Sequence, residues 1–143
     1  MIIQKKNGKQ YRKSNFTLME IMIVVGIIGL LMAIVGPIAA KALFKGQKGA
    51  VKMQIRAFDG AIVDYQLDTG NIPKSLNDLI TNPGNKKWDG PYLKSKEIPK
   101  DPWGNDYIYR LDGNSPSGYV IISYGSDGAP GGTGKAKDIS SED

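Results

Sequence analysis

Two carboxylates beside an aromatic ring are the first place to look for chemistry in this sequence. Asp101 and Asp106 flank Trp103, and such a pair could serve general acid–base or glycosidic chemistry. The same stretch also reads as an aspartate–proline turn with a packing tryptophan, and this reading is preferred because nothing nearby completes a reaction centre. The chain has no histidine and no cysteine. That excludes an imidazole base, a thiolate nucleophile, a disulfide framework and zinc-finger ligand sets. Ser123 lacks a histidine partner and a nucleophile elbow. Gly125-Ser126-Asp127-Gly128 is no phosphate loop, because no Gly-Lys-Ser/Thr leads it into a helix. An enzyme is therefore not expected.

Two acidic features remain. Glu20 stands at the leading edge of an uncharged run, residues 21–40. An acid at a bilayer centre costs ~2.5–3.5 kcal/mol, and less near the surface. Glu20 can snorkel toward headgroups or take a cationic partner, and a free α-amine at Phe16, four residues away, would suit. The second feature is Asp127 and Asp138, with the glycine-rich residues 125–134 between and around them. Two carboxylates with turn carbonyls could hold a hard cation such as Ca²⁺, which takes oxygen ligands and orders a loop. The alternative is a flexible tail.

These residues need elements to place them. The uncharged run rises ~30 Å as a helix, one bilayer hydrocarbon core. Residues 1–15 precede it as a basic leader, with Lys5, Lys6, Lys9, Arg12 and Lys13 and no acid. Such a flank holds its side in the cytoplasm, so the remainder faces outward. From Phe16 onward 14 bases match 14 acids, which leaves no broad cationic surface for nucleic acid. An uncleaved or N-terminally trimmed anchor fits better than a removed signal, since no small-residue cleavage site follows the run. Gly29/Ala33 and Gly36/Ala40 are each four apart and would let another helix approach. Pro37 removes a backbone donor and is expected to kink or open the helix.

Beyond residue 43, Phe44, Val51, Ile55, Phe58, Ile62 and Tyr65 recur at helical spacing. The helix is therefore expected to continue, amphipathic, to about Leu67, although Gly46, Gly49 and Gly60 each cost ~1 kcal/mol against alanine. Gly70-Asn71 and Pro73 stop it. Ser75-Leu76-Asn77-Asp78 resembles a capping box opening a short helix to about Thr81. Residues 107–111 and 119–124 read as strands joined by a loose hairpin.

The segment Phe16-Thr17-Leu18-Met19-Glu20, with Pro37, resembles the class III signal segment of type IV pilin-like proteins, which have Phe, Glu and Pro at the first, fifth and twenty-second mature positions. Tyr65-Gln66-Leu67-Asp68-Thr69-Gly70-Asn71, Asp101-Pro102-Trp103-Gly104-Asn105-Asp106-Tyr107 and Ser123-Tyr124-Gly125-Ser126-Asp127-Gly128 are similar to the major pseudopilin of type II secretion systems. The resemblance implies an α+β fold, a long N-terminal helix packed on a small antiparallel sheet with a glycine-rich C-terminal loop. It implies a leader of residues 1–15, a membrane and polymerisation helix of residues 16–43 and a periplasmic head of residues 44–143. A prepilin peptidase would cut between Asn15 and Phe16 and methylate Phe16. Copies would leave the inner membrane through an assembly platform to form a pseudopilus with minor pseudopilins. Glu20 would pair with a neighbour's Phe16 amine. Ca²⁺ would be held by Asp127 and Asp138 with carbonyls of Tyr124 and Ala129. Two positions depart from the family. Asn15 stands where the family has Gly, and Lys135 and Lys137 stand where its tail often carries an acid; an ammonium could pair with Asp127 or Asp138 in place of the ion. The function expected is that of a structural subunit of the secretion pseudopilus, helping folded proteins across the outer membrane. A type IV pilus subunit for adhesion, motility or DNA uptake is the alternative, and a membrane-tethered monomeric binding domain is a third reading.

Overall fold

A computed structural model describes residues 16–143. The basic leader and Asn15 lie outside the described residues. The chain separates into two compact units, the first ending at Ala40 and the second comprising Lys41–Asp143.

Helix α1 runs from Leu18–Thr69, 52 residues, with Pro37 inside it. Within the second unit its stripe of Val51, Ile55, Phe58, Ile62 and Tyr65 is buried, as the spacing predicts, and Ala61 joins it. Fully burying each large apolar side chain is worth about 1.5–3 kcal/mol. Together they outweigh the three glycines, at ~1 kcal/mol each, so the helix passes through Gly46, Gly49 and Gly60. Thr69 and Gly70 end it. The Thr69 hydroxyl donates to the Tyr65 carbonyl at 2.7 Å, and Gly70 turns to φ +74 while donating to the Gln66 carbonyl. A left-handed residue at this place is the usual glycine stop.

The second helical piece, Leu76–Leu79, is a 3₁₀ turn that ends two residues before the expected Thr81. The Asp78 carboxylate accepts the backbone N–H groups of Lys74 and Ser75 and the Ser75 hydroxyl. Leu76 and Leu79 are buried. With so few residues between Pro73 and Pro83, the segment closes one tight turn.

Strands β1 (Ile108–Leu111), β2 (Tyr119–Ser123) and β3 (Ile139–Ser140) form one antiparallel sheet in that order. Tyr109 faces Ile121, and Ser123 faces Ile139. Alternate residues Tyr107, Tyr119, Ile121 and Ile139 enter one core with the α1 stripe. Phe58 meets Tyr107 edge-on, 5.2 Å between ring centroids. The expected α+β architecture is therefore present. β3 was not anticipated, since a two-residue strand shows no alternation; burial of Ile139 and a bond from the Ser141 N–H to the Ile121 carbonyl hold it.

Burial pushes the Tyr107 hydroxyl up to about 12, and the nearby Asp101 carboxylate adds to this. Burial likewise pushes Tyr109 up to about 12. The folded head thus disfavours tyrosinate more than the unfolded chain does. The stability this confers is complete below pH ~10 and declines as the pH rises toward 12. Denaturant melts of a fragment beginning at Lys41 should show that decline, and Tyr107→Phe should make it shallower. An unchanged slope would show that Tyr107 titrates alike in the folded head and in the unfolded chain.

Candidate functional site

In the first unit, the start of α1 is built by Thr17. Its hydroxyl oxygen accepts the Glu20 N–H at 3.2 Å, and its carbonyl accepts the Ile21 N–H. Thr17 thus caps the helix, satisfying donors that have no intrahelical partner. The signal was present in the sequence as Thr-x-x-Glu, and the apolar run drew attention away from it. Glu20 lies in the first helical turn, where the helix dipole favours an anion. Phe16 and the large apolar side chains from Leu18 to Ile38 are exposed. This segment is long and apolar enough to cross a membrane, and none of its most apolar window is buried within the chain.

In the second unit, sequence reasoning missed the cluster around Asp101. This carboxylate is 5 % exposed. One oxygen accepts the Trp103 and Asn105 N–H groups at 3.0 and 2.8 Å. The other accepts the Ser123 hydroxyl at 2.7 Å. Such charge-assisted bonds are the strong ones, and a buried carboxylate requires them. Asp106, by contrast, points outward to an exposed pair with Lys100 at 3.1 Å. The two acids of the Asp-Pro-Trp-Gly-Asn-Asp stretch therefore do not converge on a reaction centre; Asp101 holds a turn, as the preferred reading expects.

From this turn the Asn105 side chain reaches the C-terminal loop, donating to the Gly125 carbonyl at 2.9 Å. A Cβ at Gly128, where φ is +64, would lie 2.9 Å from the Asn105 amide oxygen. At Gly125, φ +68, a Cβ would lie 3.0 Å from the carbonyl oxygens of Lys135 and Lys137. The glycines of this loop thus permit close approach of backbone and side chain. The loop is folded into 3₁₀ turns at Gly125–Asp127 and Gly134–Ala136.

Asp127 accepts the Ala129 N–H at 3.2 Å. Asp138 accepts the Gly131 N–H at 2.9 Å through one oxygen, while its other oxygen, Oδ1, is buried with no hydrogen-bond partner. Buried polar atoms are rarely left so. Neither Lys135 nor Lys137 forms an ion pair with these acids among the described residues. No cluster of three or more acidic ligands occurs among the described residues, so a cation here would draw on two carboxylates and backbone carbonyls. That all-oxygen set, with one unmet buried oxygen, fits a hard cation such as Ca²⁺.

An exposed apolar helix that becomes amphipathic and packs on a three-stranded antiparallel sheet defines a pilin-like subunit with a membrane anchor. Comparison with known proteins narrows this. The model of the type II secretion system protein G family matches residues 40–142, and the chain belongs to that family. The type II secretion system core protein G of Xanthomonas campestris pv. campestris is 39% identical over 128 residues, 89% of this chain and 88% of that protein. That of Vibrio cholerae is 35% identical over 138 residues, 92% of each. The major pseudopilin from the type 2 secretion system of enterohaemorrhagic Escherichia coli has a similar crystal structure, with a TM-score of 0.55 and 30% identity over 68% of this chain and 87% of that one. The resemblance drawn from the sequence is borne out.

The two acids beside Trp103 should differ sharply on substitution. Asp101→Ala strands three donors and should destabilise the Lys41–Asp143 fragment by about 2–4 kcal/mol. Asp106→Ala should cost about 0.5 kcal/mol or less. Chemical denaturation compares them directly, and equal effects would contradict the assignment of Asp101 as the anchor of the turn.

Proposed function

We propose that this chain is a structural subunit of a type II secretion pseudopilus, without catalytic activity of its own, that helps move folded proteins across the outer membrane. The observation that carries this is α1. One capped helix exposes an apolar, membrane-length half with a lone acid in its first turn, and its other half is built into a head of the protein G family. An isolated head would have no use for such a segment.

In this reading residues 1–15 remain cytoplasmic until a prepilin peptidase cuts between Asn15 and Phe16 and methylates the new amine. The head then lies in the periplasm, anchored in the inner membrane. Assembly through an inner-membrane platform, with minor pseudopilins, stacks copies by their apolar helices. Glu20 accepts the Phe16 amine of a neighbour, which relieves the cost of a lone acid at the membrane edge. Pro37, with Gly36 beside it, supplies a point where the helix bends or opens as it leaves lipid. Ca²⁺, when bound by Asp127, Asp138 and carbonyls of the loop including those of Tyr124 and Ala129, supplies a positive charge that the unmet Asp138 oxygen lacks. The loop's own contribution is its close packing, with the Lys135 and Lys137 carbonyls against Gly125 and the Asn105 amide on the Gly125 carbonyl.

Two experiments test these statements separately. Filaments sheared from cells bearing a type II apparatus should contain chains starting at N-methylated Phe16 by mass spectrometry. In the same cells Glu20→Ala should stay in the membrane fraction while filament yield falls about tenfold or more, the equivalent of ~1.4 kcal/mol. Filaments with an intact Met1, or a normal yield from the variant, would defeat processing or the role of Glu20 respectively. For the loop, calcium in large excess over its Kd should raise the melting temperature of the Lys41–Asp143 fragment by about 5 °C or more. Asp138→Ala should remove that shift. No calcium-dependent change in the unsubstituted fragment rules the site out.

A further inference from the structure

Five cations, Lys41, Lys45, Lys48, Lys52 and Arg56, follow the uncharged run directly, with no acid among residues 41–58. They equal in number the cations of the leader, Lys5, Lys6, Lys9, Arg12 and Lys13. A membrane segment ordinarily concentrates such residues on its cytoplasmic flank, so their number on the other flank needs a physical reason. Between Phe16 and Ala40 there is no lysine or arginine. Once the leader is cut away, every side-chain cation next to the run therefore lies on the outward side.

The head supplies these cations with no counter-ion. The ion pair found among the described residues joins Lys100 to Asp106, so none of the five is paired there. The head does supply an aromatic companion. Phe44 stands four residues beyond Ala40 on the same helix, a rise of ~6 Å, about the depth of one headgroup layer. The Trp103 ring lies 6.4 Å from that of Phe44. Both rings are half-buried, and Leu43 and Lys45 beside Phe44 are exposed. Trp88 spends its indole N–H on the Asp78 carbonyl at 2.8 Å. Trp103 makes no such bond among the described residues; it is the backbone N–H that is tied, to Asp101. Asp106, the exposed acid of the same turn, is neutralised by Lys100. At 100° per residue Lys41, Lys45 and Lys48 fall within an arc of about 60°, and Phe44 lies about 40° from its edge. One level of the helix thus carries an aromatic pair with a free N–H, bordered by three unpaired cations.

We propose that Lys41, Phe44, Lys45, Lys48 and Trp103 form a seat for anionic phospholipid headgroups of the outward leaflet, on which the head rests while the subunit waits in the membrane. The proposal rests on the anchored-subunit reading above. Tryptophan is enriched at this level of a bilayer because its ring is apolar and its N–H needs a polar partner. Headgroup charge attracts each nearby lysine separately, and the attraction fades within ~8–10 Å of the surface. Lys48 is ~12 Å along the helix from Ala40, so it stands ~6 Å beyond a headgroup layer of ~6 Å and within that range. Lys52 and Arg56, ~18 and ~24 Å along, fall outside it. The seat is therefore the first three cations, not the whole block. A soluble acidic protein is a poorer match, because Phe44 stands at a level that lipid already occupies and the seat is continuous with the span. With the leader gone, these contacts hold the depth of the anchor.

The chain has two tryptophans, so Trp88→Phe leaves Trp103 as the sole indole reporter. The full chain carrying that substitution is reconstituted into vesicles of phosphatidylcholine brominated high on its acyl chains, with or without phosphatidylglycerol. Bromine quenching of Trp103 should be about twofold or more stronger when phosphatidylglycerol is present. The difference should vanish in about 1 M salt, where the screening length is ~3 Å. It should vanish as well in Lys41→Gln/Lys45→Gln/Lys48→Gln, and persist in Lys52→Gln/Arg56→Gln. Should Trp88→Phe not fold, the same quantity is read as the difference in quenching between the unsubstituted chain and Trp103→Phe. Equal quenching in the two kinds of vesicle overturns the seat. So does a phosphatidylglycerol effect that survives the three glutamines. A fall in filament yield on replacing the three lysines, with no phosphatidylglycerol effect in the unsubstituted chain, would assign them to a protein neighbour and overturn the seat likewise. Release of the chain from the vesicles by alkaline carbonate would defeat the anchor reading itself and the seat with it, an outcome distinct from the others.

Discussion

The head depends on a buried carboxylate that has no countercharge. Burying an unpaired ion costs several kcal/mol unless hydrogen bonds replace its water. Asp101 meets this with a hydroxyl from the central strand and two N–H groups of its own turn. Those bonds fix three things together. The turn is shaped, β2 is tied to it, and Asn105 is aimed at the Gly125 carbonyl. Trp103, in the same turn, places its ring 6.4 Å from that of Phe44 on α1. One side chain therefore ties together the turn that meets the helix, the sheet and the C-terminal loop.

The helix obeys two sets of rules along its length. Its first half has apolar side chains all round and buries none of them within the chain; such a surface suits lipid or other helices. Its second half has one apolar stripe and charges elsewhere, as expected of a helix half-immersed in a folded domain. Glycine fares differently in the two settings. Gly26, Gly29 and Gly36 have open space around them and keep the backbone approachable. Gly46, Gly49 and Gly60 also face outward, so they leave the buried stripe intact and cost only propensity.

Much of this was legible in the sequence because its signals are periodic. The uncharged run, the stripe from Phe44 to Tyr65, the strands around Tyr109 and Ile121 and the stop at Gly70 each follow from spacing or from one residue's backbone freedom. The site was less legible. Asp101 looks like any aspartate before proline until Ser123, 22 positions away, is brought to it by the β1–β2 hairpin. The unmet oxygen of Asp138 is likewise a product of tertiary packing. β3 escaped because two residues carry no period. Thr17 escaped for the opposite reason, a short local signal masked by a long apolar one.

A head of about a hundred residues without a disulfide has little core to spare, and tyrosine is how this one extends it. Each ring adds apolar area, and three of the hydroxyls find an acceptor at the core's edge. Tyr109 donates to the Pro73 carbonyl at 2.7 Å, Tyr119 to Asp59 at 3.1 Å and Tyr92 to Asp68 at 2.9 Å. The cost appears at Asp59, whose carboxyl burial pushes above its ordinary range, with the Tyr119 hydroxyl drawing it partly back. The acids of α1 thereby divide their duties. Asp59 and Asp68 fasten the loops and sheet to the helix, and Asp64 is left facing outward. With two of these three acids bonded to its own head, the helix leaves the lysines that precede them without an ion pair among the described residues.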